Sequence, residues 1–115
     1  MTRFSFYILV MICGAALALS QSRTVRVITI DGTINPASAD YIHEQIRHAE
    51  DDRAECLIIR LNTPGGLLKS TRVIVSDLLN SPVPVVVYVA PAGSQAASAG
   101  VFVTLASHIA VMAPG

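Results

Sequence analysis

From Val25 onward the apolar residues of this chain alternate between a strand-like period of two and a helical spacing, and few folds accept that alternation. Val25-Arg26-Val27-Ile28-Thr29-Ile30 reads as a strand closed by the turn pair Asp31-Gly32. Asn35 then offers a capping side chain, and Pro36 has the fixed φ that suits a first helical position. Ala39, Ile42, Ile46 and Ala49 follow at helical spacing until Asp51-Asp52-Arg53 breaks the pattern. Cys56-Leu57-Ile58-Ile59 predicts a second strand. Beyond the loop Asn62-Thr63-Pro64-Gly65-Gly66, the residues Leu67, Thr71, Ile74, Val75 and Leu78 line one side of a second helix, which Asn80-Ser81-Pro82 ends. Val83 to Val89 is a near-continuous apolar run, the pattern of a parallel strand covered on both faces. After a small-residue loop, Ala90 to Gln95, a third helix is expected from Ala96 to Ala106, and Ile109 to Met112 begins a fourth strand.

Such alternation argues for an α/β fold with right-handed crossovers and a mostly parallel sheet. The fourth strand has only begun to be covered when the sequence stops at Gly115, so the fold is expected to be incomplete at the C-terminus.

The first residues read differently. Met1 to Leu19 carries one charge, Arg3, ahead of an apolar stretch from Phe6 to Leu19. Small residues at Ala16 and Ala18, or Ala18 and Ser20, have the alternate spacing that a signal peptidase pocket accepts. The stretch is short for a membrane span of about 20 residues, and Ile12 before Cys13 does not suit a lipoprotein signal. Residues 1–20 are therefore expected to be a signal peptide and 21–115 the start of one exported domain, at the periplasmic or extracytoplasmic face of a membrane. Eight basic and eight acidic residues balance, which gives no electrostatic footprint for nucleic acid. Cys56 is left without an internal partner and is expected to be buried and structural. No zinc spacing occurs, and no cofactor or metal is expected.

Two motifs lie where a parallel sheet places chemistry, beyond the carboxyl ends of strands. Thr63-Pro64-Gly65-Gly66 allows backbone N–H groups to turn outward at the start of a helix, which suits a developing oxyanion and gives Gly65 and Gly66 a substrate-binding reading. By itself it reads first as a tight strand-to-helix turn with no ligand. Gln95-Ala96-Ala97-Ser98-Ala99-Gly100 puts a hydroxyl in the first turn of the third helix among small neighbours that leave room for a carbonyl. Its A-x-S-x-G pattern matches a nucleophile elbow only loosely. His108 lies ten residues beyond Ser98, about three helical turns away and out of reach of its hydroxyl. His43 and His48 belong to the polar side of the first helix, and Asp40 with Glu44 is a like-charge surface pair.

Taken together, Asp31-Gly32-Thr33-Ile34-Asn35-Pro36, Leu61-Asn62-Thr63-Pro64-Gly65-Gly66-Leu67-Leu68, Ser81 to Pro91 and Ala96-Ala97-Ser98-Ala99-Gly100 resemble the N-terminal protease domain of NfeD-type proteins. These are membrane-bound members of the ClpP/signal-peptide-peptidase serine protease class. The resemblance runs from about Val25 to Gly115 with order and spacing intact. It implies a ClpP/crotonase-like fold of repeated ββα units, catalytic Ser98, and an oxyanion hole at Gly66 and Ala99. It also implies a Ser–Lys dyad whose lysine lies downstream of the serine and owes its basicity to burial.

Lys69, the only lysine, lies upstream of Ser98 on a helix and is expected to be a charged surface residue. This stretch alone is therefore expected to be inactive. The implied substrate is a membrane-associated or hydrophobic polypeptide, with stomatin-like membrane proteins as associates and a homo-oligomer as the assembly. A non-catalytic ClpP-like scaffold is the alternative. A crotonase-like acyl-CoA enzyme is less consistent with export, since coenzyme A is cytosolic.

Overall fold

The computed structural model describes residues 2–5, 7–8 and 22–115. Residues 2–5 and 7–8 are helical; the rest of the expected signal peptide, including its cleavage site, lies outside the described residues. Seven elements follow: β1 (Val25–Asp31), α1 (Pro36–Asp51), β2 (Cys56–Asn62), α2 (Leu68–Leu79), β3 (Val85–Val89), α3 (Ala99–Ala106) and β4 (Ile109–Met112). All three strand pairings are parallel, and the order in the sheet is the order in the chain.

Local chemistry explains the boundaries. Asn35 caps α1 through a reciprocal pair of bonds: its side-chain oxygen accepts from the Ser38 N–H at 3.0 Å, and its own N–H donates to Ser38 Oγ at 2.9 Å. The residues buried by α1 are Ala39, Ile42, Ile46 and Ala49, the four that repeat at helical spacing. In α2 the buried face is Ser70, Thr71, Ile74 and Leu78. Leu67, expected on that face, sits at the N-cap and is exposed.

In a parallel sheet whose strands lie in chain order, crossovers of one hand put every helix on the same side of the sheet. Burial agrees. Leu57, Ile59, Leu61, Val85 and Val87 are fully buried beneath the helices, whereas Ile58, Val86 and Tyr88 on the other face are half-exposed. The apolar run of β3 is thus covered on one face, not two. Each buried Leu, Ile or Val contributes roughly 1.5–3 kcal/mol by leaving water, so the helical side holds the fold together. Cys56, expected to be buried, is the first residue of β2 and only partly so.

Past the strand ends the chain keeps pairing at single points. Ile34 bridges Gly66 and Thr63 bridges Ala96, both in parallel. Each of the first three units is therefore a strand, a short extended arm and a helix, and the arms form a second small tier above the sheet. That tier carries the candidate site.

Candidate active site

The site is assembled from the segments that leave β1, β2 and β3 at their carboxyl ends. Ile34 supplies its base: the Ile34 N–H donates to the Gly65 carbonyl at 2.8 Å, and the Leu67 N–H donates to the Ile34 carbonyl at 2.9 Å. In an extended arm successive peptide groups face opposite sides, so the bond made by Leu67 turns the Gly66 N–H away from Ile34. A β-carbon on Gly66 would lie 2.0 Å from the Ile34 carbonyl oxygen. Only glycine permits this approach.

Thr63 sits at the centre. It is fully buried, its N–H donates to the Gln95 carbonyl at 2.7 Å, and its carbonyl accepts from the Ala97 N–H at 3.0 Å. Its hydroxyl oxygen accepts from the Gly65 N–H at 3.1 Å, which folds the glycine pair back over the strand end. Its methyl group occupies the place a Gly100 side chain would need, 2.7 Å from the position of a β-carbon there.

Ser98 does not lie inside the helix. It is the N-cap of α3 at φ 51° and ψ −113°, and it makes no capping hydrogen bond. Residues 96–98, expected to be the first turn, instead form the bridge to Thr63 and a sharp turn into α3. A non-glycine residue in that region stores roughly 1–3 kcal/mol of backbone strain. The turn exposes the Ser98 side chain and sets it against the glycine pair: a β-carbon on Gly65 would meet Ser98 Cβ at 2.8 Å and its Oγ at 3.2 Å. The site residues read from the sequence are thus brought together, with Gly65 buried against Ser98, Gly66 next along the arm and Ala99 the first residue of α3. Among the described residues neither the Gly66 nor the Ala99 N–H bonds to the protein. A hydroxyl, two spare N–H groups and a helix N-terminus are what an acyl-transfer site requires on the side of nucleophile and oxyanion.

The other candidates stay apart. His108 is at the opposite end of β3: its N–H donates to the Val85 carbonyl at 3.0 Å, and its Nδ1 accepts from the Val85 N–H at 3.1 Å. His43, expected to be solvated, pairs with Asp77 across α1 and α2 at 3.1 Å, while half its side chain stays exposed. Lys69 is exposed on the first turn of α2. The parts not legible in the sequence are Ile34, Thr63, Asn62 and Gln95. A buried isoleucine just after the Asp31-Gly32 turn was the available signal for the first of these.

The NfeD1b N-terminal domain matches residues 24–115. The chain belongs to the NfeD1b N-terminal domain family. It is 40% identical over 115 residues to the membrane-bound protease PH1510 of Pyrococcus horikoshii, covering the whole of this chain and 26% of that protein. It is 33% identical over 98 residues to the membrane protein NfeD1b of Bacillus subtilis, covering 85% of this chain and 22% of that one. The chain therefore spans about a quarter of the length of these curated relatives.

Among solved structures, a serine-to-alanine mutant of the stomatin-specific membrane-bound protease 1510-N superposes with a TM-score of 0.81 at 41% identity, over 83% of this chain and 46% of that one. A lysine-to-alanine mutant of 1510-N, in complex with a substrate peptide, gives 0.80 at 42%, over 82% and 43%. A ClpP1 mutant of Listeria monocytogenes gives 0.64 at 25%, over 71% and 46%. The fold of this NfeD1b-type domain is ClpP-like. Its curated relatives are membrane proteins, and among the described residues no helix is long and apolar enough to cross a membrane.

Proposed function

We propose that this domain is the nucleophile-bearing part of a serine endopeptidase. Ser98 Oγ attacks the scissile carbonyl, and the backbone N–H groups of Gly66 and Ala99 receive the oxyanion. The observation that carries the reading is the strained turn that presses Ser98 against Gly65 at the start of α3. A serine with only a structural duty would not need that backbone, whereas a nucleophile that must stand clear of the chain does.

The attack needs a base, because a serine hydroxyl at neutral pH is a poor nucleophile. The base is a lysine that this stretch does not contain, in keeping with the lysine mutant of the peptide-bound relative. Its ammonium must lose a proton before it can accept one from Ser98, so it must lie in an apolar setting. Lys69, exposed on α2, does not meet that condition.

The substrate is a membrane-associated or hydrophobic polypeptide segment, with stomatin-like proteins as associates; the stomatin specificity of the related protease 1510-N supports the second part of this reading. The protein works as a homo-oligomer on the extracytoplasmic face of the membrane, delivered there by residues 1–20 as a cleaved signal. The test is labelling of the full-length protein with a fluorophosphonate probe. Covalent modification at Ser98, absent from the Ser98→Ala variant, is expected; equal labelling of both proteins would remove Ser98 as nucleophile.

A further inference from the structure

The segment that leads into Ser98 is held by more than its backbone. Besides the two backbone hydrogen bonds to Thr63, the Gln95 N–H donates to the side-chain oxygen of Asn62 at 3.0 Å. The other end of the same amide is also engaged, its Nδ2 donating to Asp31 Oδ1 at 3.0 Å. One side chain thus ties the last residue of β1 and the last residue of β2 to the loop after β3. Chemistry fixes its orientation. A peptide N–H can only donate and an ionised carboxylate can only accept, so the amide oxygen must face Gln95 and the nitrogen must face Asp31.

We infer that Asn62 is a positioning residue for Ser98, acting through Gln95, and that Asp31 acts behind it by holding the amide the right way round. The inference rests on reading Ser98 as the nucleophile. Gln95 already gives its carbonyl to the Thr63 N–H, so the added bond fixes both sides of one residue three positions ahead of Ser98. Without it the loop remains attached through Thr63 but is free to tilt. A nucleophile displaced by about an ångström loses on the order of 100-fold in rate. The loss belongs in the chemical step, because Asn62 acts on the loop and not on the substrate.

Charge pattern separates positioning from mere support. Asn62→Asp keeps an oxygen for Gln95 but sets a second carboxylate against Asp31. Combining it with Asp31→Asn restores a donor facing an acceptor, with the amide and the carboxylate exchanged between the two strand ends. In full-length protein, the measurements are fluorophosphonate labelling rate, kcat and KM for a cleaved peptide, melting temperature, and hydrogen exchange at the Gln95 amide. Asn62→Ala and Asn62→Asp are expected to lower labelling rate and kcat by roughly 10- to 100-fold. KM should hold and Gln95 should exchange faster, while the exchanged pair returns toward wild type on every readout. Wild-type labelling in Asn62→Ala, or an exchanged pair as slow as Asn62→Asp, overturns the proposal. Ser98→Ala serves as the control for the underlying reading. If that variant cleaves peptide like wild type, the nucleophile assignment falls, and exchange at Gln95 then decides the clasp: unchanged protection in Asn62→Ala refutes it, and loss with recovery in the exchanged pair upholds it.

Discussion

Gly65 and Ser98 are in direct contact, so close that a β-carbon on the glycine would stand 2.8 Å from Ser98 Cβ. Gly65 also has a φ of +121°, a conformation that side chains rarely adopt. Gly65→Ala therefore meets two costs together, backbone strain of roughly 1–3 kcal/mol and displacement of the serine it touches. Denaturant unfolding should register the first and slower fluorophosphonate labelling the second. A variant unchanged in both would mean that the loop relaxes freely and that the contact positions nothing.

Gly66 is the more severe case. Damage there is expected to oxyanion binding, worth roughly 3 kcal/mol in the barrier, yet any side chain would first collide with the Ile34 backbone, 2.0 Å away. Gly66→Ala should thus lower folding stability by at least the ~1–3 kcal/mol of an overpacked core site, before catalysis is considered. Equilibrium unfolding decides it. A stable Gly66→Ala protein that has lost only turnover would separate the oxyanion role from the packing role, contrary to this geometry.

That difference shows what the sequence could and could not disclose. The first three strands and the helices are legible because each buries one face at its own period, whereas β4, exposed along its whole length, is legible from its apolar run alone. The uncovered face of the sheet was not legible, since Ile58, Val86 and Tyr88 are themselves apolar and half-exposed. The glycine pair was legible as a turn with outward N–H groups, but its need for two glycines comes from Ile34 and Ser98, which are 32 residues upstream and downstream of Gly66. Periodicity carries no information about such approaches. The same holds for Asn62, where an asparagine before Thr-Pro-Gly-Gly reads as a turn residue. The sequence predicts the start of α3 at Ala96; the bridge to Thr63 claims Ala96 instead, and the helix begins at Ala99.

The turn at Ser98 gives a prediction about stability alone. Its φ of 51° is costly for any residue with a β-carbon. Ser98→Ala keeps that cost and loses no hydrogen bond, so it should melt near wild type while turnover falls by several orders of magnitude. Ser98→Gly relieves strain of ~1–3 kcal/mol against a glycine entropy penalty of ~0.5–1 kcal/mol, and should be about 1 kcal/mol more stable than Ser98→Ala. Urea titration of the two variants makes the comparison. If the glycine variant is the weaker, the turn is not strained.

His108 offers a contrast at the far end of β3. His108→Ala leaves the N–H of the buried Val85 without its acceptor, at a cost of about 1–3 kcal/mol. Labelling at Ser98 should not change, because the length of the strand separates the two residues. A labelling rate lowered tenfold with the melting temperature intact would instead place His108 in the chemistry.

Lys69 is the single lysine of the chain, and its surroundings argue against a role as base. It is exposed, it makes no hydrogen bond or ion pair among the described residues, and it occupies the second position of α2. A base must surrender its proton before the reaction, and only burial or a neighbouring cation brings a lysine to that state. Its charge is also at the wrong end of the helix, where the exposed N–H groups carry positive potential. Lys69→Ala in the full-length protein should therefore leave labelling and hydrolysis near wild type. Lys69→Glu should go further and raise stability by about 0.3–1 kcal/mol, an effect that fades with added salt. Should Lys69→Ala silence hydrolysis while Ser98 stays folded in place, Lys69 is the base, and the lysine of the dyad must be sought on α2 rather than downstream of Ser98.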